Sequence, residues 1–189
     1  MAESNFDADL VGVGKGATTG HAFVAPKGTA LPTDAKTALA ATYKSMGYVS
    51  DAGLTSSSES STVEIKDWSG KTIKQPQTSY AETYKTTFLE NSETVLKAYY
   101  GDDNVTVGAN GEIVVKRNGA FGTERVIVFE MMLTETIIRR IVIPRAVVTE
   151  RDDITYSAES AVGYGVTIMA LADAEGNCSY VYDYDSSAA

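Results

Sequence analysis

Apolar and polar residues alternate with a period of two along much of this chain. Over residues 63–68, Val63 and Ile65 fall on one side and Glu64, Lys66 and Trp68 on the other. That is the pattern of a strand with one wet face. Ser69-Gly70 then marks a turn, and 71–75 returns as the second arm of a hairpin. Residues 80–89 repeat the pattern, with Tyr80, Tyr84 and Phe88 at even spacing on one face. The glycines of "GANG" separate 105–107 from 112–116 and predict another hairpin. Residues 123–133, 136–149, 161–172 and 179–184 read as longer strands joined by polar turns, and 21–25 and 48–54 as shorter ones; 11–13 is a further candidate.

The period lengthens to that of a helix in two places. Asn91 or Ser92 caps a short helix with Glu93 in its first turn, Val95, Leu96 and Tyr99 as its buried stripe, and Gly101 at its end. A second helix is expected over 35–46, capped by Thr33 or Asp34 and ended by Gly47, with Leu39, Tyr43 and Met46 sharing a face. Strands this numerous with so few helices predict a mainly β fold, a β-sandwich or barrel with one or two short flanking α-helices. No composition break divides the 189 residues, so a single domain over 1–189 is expected. Within it, 1–20 reads as a flexible N-terminal arm and 185–189 as a flexible C-terminus. The serine-rich "TSSSESSTVE" reads as a mobile polar loop over 55–62, too poor in apolar residues to order itself.

Composition narrows the function more than the fold. With 25 acids against 16 bases the chain carries a formal charge of −9. That opposes groove-reading DNA recognition, which relies on cations against phosphates. It leaves open a wall that DNA slides past, since like charges do not adhere. No apolar run approaches the roughly 20 residues of a membrane helix, and the acidic start "MAESNFDADL" lacks the basic region of a signal peptide. One cysteine, Cys178, and one histidine, His21, exclude an internal disulfide and a His- or Cys-rich metal site.

The chemical motifs fail one after another. In "LVGVGKGATTGHAFVAP" a phosphate loop would need a glycine where Asp9 stands and a hydroxyl where Gly16 stands. The looser dinucleotide spacing Gly12, Gly14, Ala17 is present, but no helix opens after it to face a pyrophosphate. "DDNVTVGANGE" offers Asp102 and Asn104 to a calcium loop but puts Val107 where glycine is needed. Tyr180, Tyr182 and Tyr184 admit a sugar-binding reading, yet alternating tyrosines on a strand more often serve a core or interface. No catalytic, cofactor-binding or metal-binding residue is nominated, and the expectation is a non-enzymatic structural or assembly protein.

The order of segments points further. "LPTD…GYVSDAGLT", "LENSETVLKAYYGDDNV" and "RIVIPRAVVTE…AVGYGVTI" follow one another across 10–180. This collinear series resembles the major tail tube protein of long, non-contractile-tailed (siphovirus-type) bacteriophages, especially those of actinobacterial hosts. The resemblance implies a β-sandwich subunit that forms homo-hexameric rings stacked around a tape measure protein. It implies tail terminator and tail tip proteins as further partners, and a lumen through which genomic DNA passes without specific binding or membrane insertion. It places the protein in the virion tail, assembled in the host bacterial cytoplasm. A tube subunit of a phage-derived injection or secretion machine is the alternative. Under this reading Lys15 in the glycine-rich arm, Ser57, Ser58 and Glu59 in the polar loop, and Trp68 at the hairpin tip are candidate inter-subunit or inter-ring contacts. The lumen wall is expected to be net negative.

Overall fold

Val126, Ile127, Val128 and Phe129 are apolar in succession, which a strand tolerates only if both of its faces are covered. In the computed structural model, which describes residues 11–18, 20–119 and 122–188, they lie in the middle of the main sheet. Thirteen strands form among the described residues: β1 (Lys15–Gly16), β2 (Ala22–Pro26), β3 (Lys44–Ser45), β4 (Val49–Thr62), β5 (Ile65–Lys66), β6 (Thr72–Lys74), β7 (Gln77–Phe88), β8 (Val105–Val107), β9 (Ile113–Val115), β10 (Arg125–Met132), β11 (Ile137–Arg151), β12 (Tyr164–Ala170) and β13 (Tyr180–Asp185). Nine of them make one antiparallel sheet in the order β3-β2-β10-β11-β12-β7-β4, with β1 added beside β10 and β13 beside β11. The pairs β5–β6 and β8–β9 are separate small hairpins.

The long strand β11 changes partner midway. Ile137–Val142 pairs with β13, and Ala146–Arg151 pairs with β12. Pro144, which has no N–H to donate, falls at the changeover, beside an irregularity in the β10–β11 register. The sheet curls, so that β4 returns towards the first strands: the Val49 N–H donates to His21 Nδ1 at 3.2 Å. The roll does not close. Gly14, Lys15 and Gly16 face Val49 to Leu54 across a cleft floored by Phe129 and Met131. At Gly16 a Cβ would lie 2.4 Å from the His21 ring, so only glycine lets the chain pass this close.

The concave side holds the main core: Val24, Tyr84, Phe88, Ile127, Phe129, Ile143, Val166 and Ile168. The helix α1 (Glu93–Tyr100) presses Val95, Leu96 and Tyr99 into the same cluster. It starts as its residue types require, with the Ser92 side chain accepting from the Val95 N–H and Lys97 bonded to Glu93 one turn back at 2.6 Å. The convex side of β2, β10 and β11 is a second core of Ala25, Tyr43, Val126, Val128 and Val142. Segment 30–43 lies over it.

That segment corrects one expectation: the described residues contain no helix over 35–46. Asp34 uses its carboxylate on the Lys36 N–H at 2.7 Å and on Thr37, making a local turn. The Arg140 guanidinium takes the carbonyls of Asp34 and Thr37, which a helix would have used for its own ladder. Tyr43 and Met46 also enter different cores, one on each side of the sheet, where a helix would have aimed both the same way.

The polar stretch 55–62 differs as well. It is the outer half of β4, paired residue by residue with β7 from Thr55↔Lys85 to Thr62↔Gln77. Backbone pairing orders what side-chain burial could not, and threonine and serine are compatible with a solvated strand. Residues 1–10, the first half of the expected arm, lie outside the described residues. The described part of the arm is docked: the Val13 N–H donates to the Leu133 carbonyl at 2.7 Å, and Lys15 pairs with Met132. The short strand expected at 11–13 is therefore displaced to 15–16. At the other end, Ser186 donates to the Thr136 carbonyl at 2.9 Å, so 186–188 follow β13 as a bound turn.

Candidate assembly interface

β12 pairs with β7 only as far as Ala170↔Glu82. Beyond that point β4 and β7 leave the sheet together as a two-stranded ribbon. Residues 57–62 alone extend it by roughly 20 Å at about 3.3 Å per residue. β5 and β6 continue it to a turn at 67–71. There Asp67 Oδ1 accepts the N–H groups of Ser69 and Lys71, each at 2.9 Å, and the Ser69 hydroxyl at 2.7 Å. Those bonds, led by the one from the Ser69 hydroxyl, hold the Asp67 carboxyl below its ordinary value. The tip is thus a built turn.

Trp68 stands on that turn fully exposed, and Val63, Ile65 and Ile73 beside it are also in water. Between Thr55 and Tyr80, Lys66, Lys71 and Lys74 match Glu59, Glu64 and Asp67. The projection is therefore neutral, and the formal charge of −9 belongs to the rest of the chain. A neutral limb with an apolar end on an acidic body is the part most able to approach another acidic body.

The sequence-nominated residues divide by position. Ser57, Ser58 and Glu59 sit on the ribbon opposite Thr83, Glu82 and Ala81, and Trp68 ends it. Lys15 lies elsewhere, in β1 at the cleft opposite the root of β4, with its side chain in solvent.

At the ribbon's root the hydroxyls and one carboxylate form a chain. Ser179 Oγ donates to Glu82 Oε1 at 2.7 Å, Tyr80 donates to Glu82 Oε2 at 3.3 Å, and the Tyr84 hydroxyl bonds Glu82. Burial, then the neighbouring Glu82, pushes Tyr84 up to about 12, so it remains a neutral donor. On the convex side Arg140 and Glu130 make a buried pair at 2.5 Å that fixes 34–37. Sequence reasoning missed both groups. A signal for the second existed: Glu130 and Arg140 are charges inside two adjoining apolar runs, equidistant from the turn that joins them, although Arg139 beside Arg140 offered an equally charged candidate.

No group of three or more His, Cys, Asp or Glu side chains that could hold a metal ion occurs among the described residues. No helix among them is long and apolar enough to cross a membrane.

Two solved structures are similar in fold. One is a chain of the virion of a native gene transfer agent (GTA) particle, at 11% identity over 69% of this chain and 85% of that one, with a TM-score of 0.37. The other is a chain of the anti-feeding prophage (AFP) tube-terminating cap, at 10% identity over 96% and 98%, with a TM-score of 0.40. No curated protein matches. A family model described as phage tail tube protein matches residues 13–189, nearly the whole chain. The chain belongs to the phage tail tube protein family.

Proposed function

We propose that this protein is the repeating, non-enzymatic subunit of the tail tube of a long, non-contractile-tailed phage of an actinobacterial host. Six copies close a ring, and rings stack around a tape measure protein between a tail tip and a terminator. DNA leaves through the emptied lumen. Assembly takes place in the host cytoplasm, and the working location is the virion tail. The observation that carries this reading is the two-stranded ribbon projecting beyond the sheet. An isolated pair of strands is marginally stable in water and gains from a third layer or strand. Unpaired strand edges are an aggregation hazard unless assembly uses them.

The ribbon bearing Ser57, Ser58, Glu59 and Trp68 makes contacts between subunits or rings, and Lys15 meets a carboxylate of a neighbour. The acidic body supplies a net negative lumen wall along which DNA does not stick. The test is electron microscopy of the purified chain at rising concentration, with and without the ribbon. Replacing residues 57–81 by a short glycine-serine turn should leave a folded monomer and abolish rings and tubes. Tubes that form normally without the ribbon overturn the proposal. A tube reconstruction with a basic lumen overturns the statement about the wall.

A further inference from the structure

The register of β4 and β7 divides the ribbon into two unlike faces. Residues directly opposite one another point to the same side of a sheet. Ser56↔Tyr84, Ser58↔Glu82 and Ser60↔Tyr80 are such pairs, as are Ser57↔Thr83, Glu59↔Ala81 and Ser61↔Ser79. The first series continues the core side, because Tyr84 is 2% exposed and packs in the main core. Along that side Tyr84 is buried, Glu82 half-buried and Tyr80 54% exposed. One row of large side chains thus runs out of the core and into solvent without a break in register. The second series has no aromatic residue, and its only charge is Glu59.

We propose that the core-side face of the ribbon, with Ser58, Ser60, Tyr80 and Glu82, is covered by a second copy of this chain, which narrows the contacts named above: Ser58 is covered, while Ser57 and Glu59, on the other face with Ser61, stay in water. This rests on the tail tube reading and says which side of the limb that assembly uses. Tyr80 supplies amphipathic contact area of the kind enriched at interfaces. Covering Glu82 costs little extra, because three hydroxyls already bond its carboxylate. Charge selects the occupant. A second copy brings the same acidic body, which the ribbon, its three lysines balanced by three acids and Lys66 already paired with Glu64 at 3.1 Å, meets without net repulsion.

Two neighbouring positions test this with one substitution. Ser57 and Ser58 are both exposed in the same strand, so Ser57→Arg and Ser58→Arg place equal bulk and charge on opposite faces. Arginine at 58 stands across from Glu82, which favours the monomer fold. Circular dichroism and thermal melting should therefore show two native-like monomers. In electron microscopy and sedimentation, Ser57→Arg should form tubes at the wild-type concentration threshold, and Ser58→Arg should need at least tenfold more protein. Ser60→Arg and Ser61→Arg should repeat the contrast. Equal behaviour of the paired variants in a tube-forming background, or a reversed order, overturns the face assignment and leaves the tail tube reading standing. A wild-type chain that stays monomeric at every concentration overturns both.

Discussion

Replacing Arg140 by methionine removes a buried ion pair with Glu130 together with the hydrogen bonds by which the same guanidinium ties the convex loop to the sheet. The guanidinium and the Glu130 carboxylate are 4% and 8% exposed and 2.5 Å apart, so neither has water to fall back on. Removing one partner of a buried pair costs about 3–5 kcal/mol, because the other charge keeps its desolvation penalty and loses its counter-charge. For a chain of this length each kcal/mol moves the melting temperature by roughly 2–4 °C. Combining the two ranges gives an expected fall of roughly 6–20 °C in Arg140→Met. The double variant Arg140→Met, Glu130→Leu removes both charges and should recover part of that loss. It should not recover all of it, because Arg140 also donates to the carbonyls of Asp34 and Thr37, at 2.5 and 2.9 Å. Hydrogen bonds from a charged donor are worth about 1.5–3 kcal/mol each. Differential scanning calorimetry on the two variants decides. A fall under about 2 °C in Arg140→Met, or a double variant no better than the single, would refute the pair as the clamp on 34–37.

Three further outcomes can be checked on the same protein. Gly16→Ala should cost about 1–2 kcal/mol in chemical denaturation, because the new methyl group displaces the His21 ring that receives the Val49 N–H; an unchanged midpoint would remove the close approach as the reason for that glycine. Glu124 is held at about 2, against an ordinary 4.5, first by hydrogen bonding from Arg145 and then from Lys27, and Asp34, Asp67, Asp173, Asp183 and Asp185 also lie below their usual values. A lowered folded-state value contributes stability above the unfolded value and loses it as pH falls through the folded one, so melting temperature should decline from about pH 4.5 towards 2, less steeply in Glu124→Gln; equal melting at about pH 6 and 2.5 would contradict this. Burial, with Glu82 and Asp173 adding to it, raises the Cys178 thiol, so a thiol reagent near neutral pH should modify the native chain much more slowly than the urea-unfolded chain.

What could be read beforehand was whatever local chemistry determines. The helix after Leu89 follows from Ser92, Glu93 and the spacing of Val95, Leu96 and Tyr99, and it forms there. The 105–107 and 112–116 hairpin and the four late strands also stand close to their expected bounds. The 35–46 segment failed because its fate depends on Arg140, about a hundred positions away, whose guanidinium takes the turn's carbonyls. The 55–62 stretch failed for the opposite reason. Its side chains carry no burial signal, and the ladder that orders it comes from β7. Of the nominated contact residues, four share the ribbon, an arrangement visible only once Ser57, Ser58 and Glu59 are known to be strand.

The same ribbon reconciles two properties that pull against each other. A tube that conducts DNA benefits from an acidic subunit, but acidic subunits repel one another at the distances where they must pack. Spreading neutral residues evenly over the surface would weaken both effects together. Here the charge is partitioned. Residues 55–80 balance their three lysines against three acids, and the remainder of the chain holds the whole formal −9. In the proposed tube, cohesion would then reside in a limb long enough to leave its own body, and repulsion in the body. Salt should therefore act in one direction on assembly. Added salt screens body against body more than it weakens a contact built on Trp68, Tyr80 and backbone edges. Tube formation should proceed at lower protein concentration as ionic strength rises from about 0.01 to 0.3 M, measured by light scattering. A threshold that rises with salt would mean that ion pairs across the interface, and not the neutral ribbon, hold the copies together.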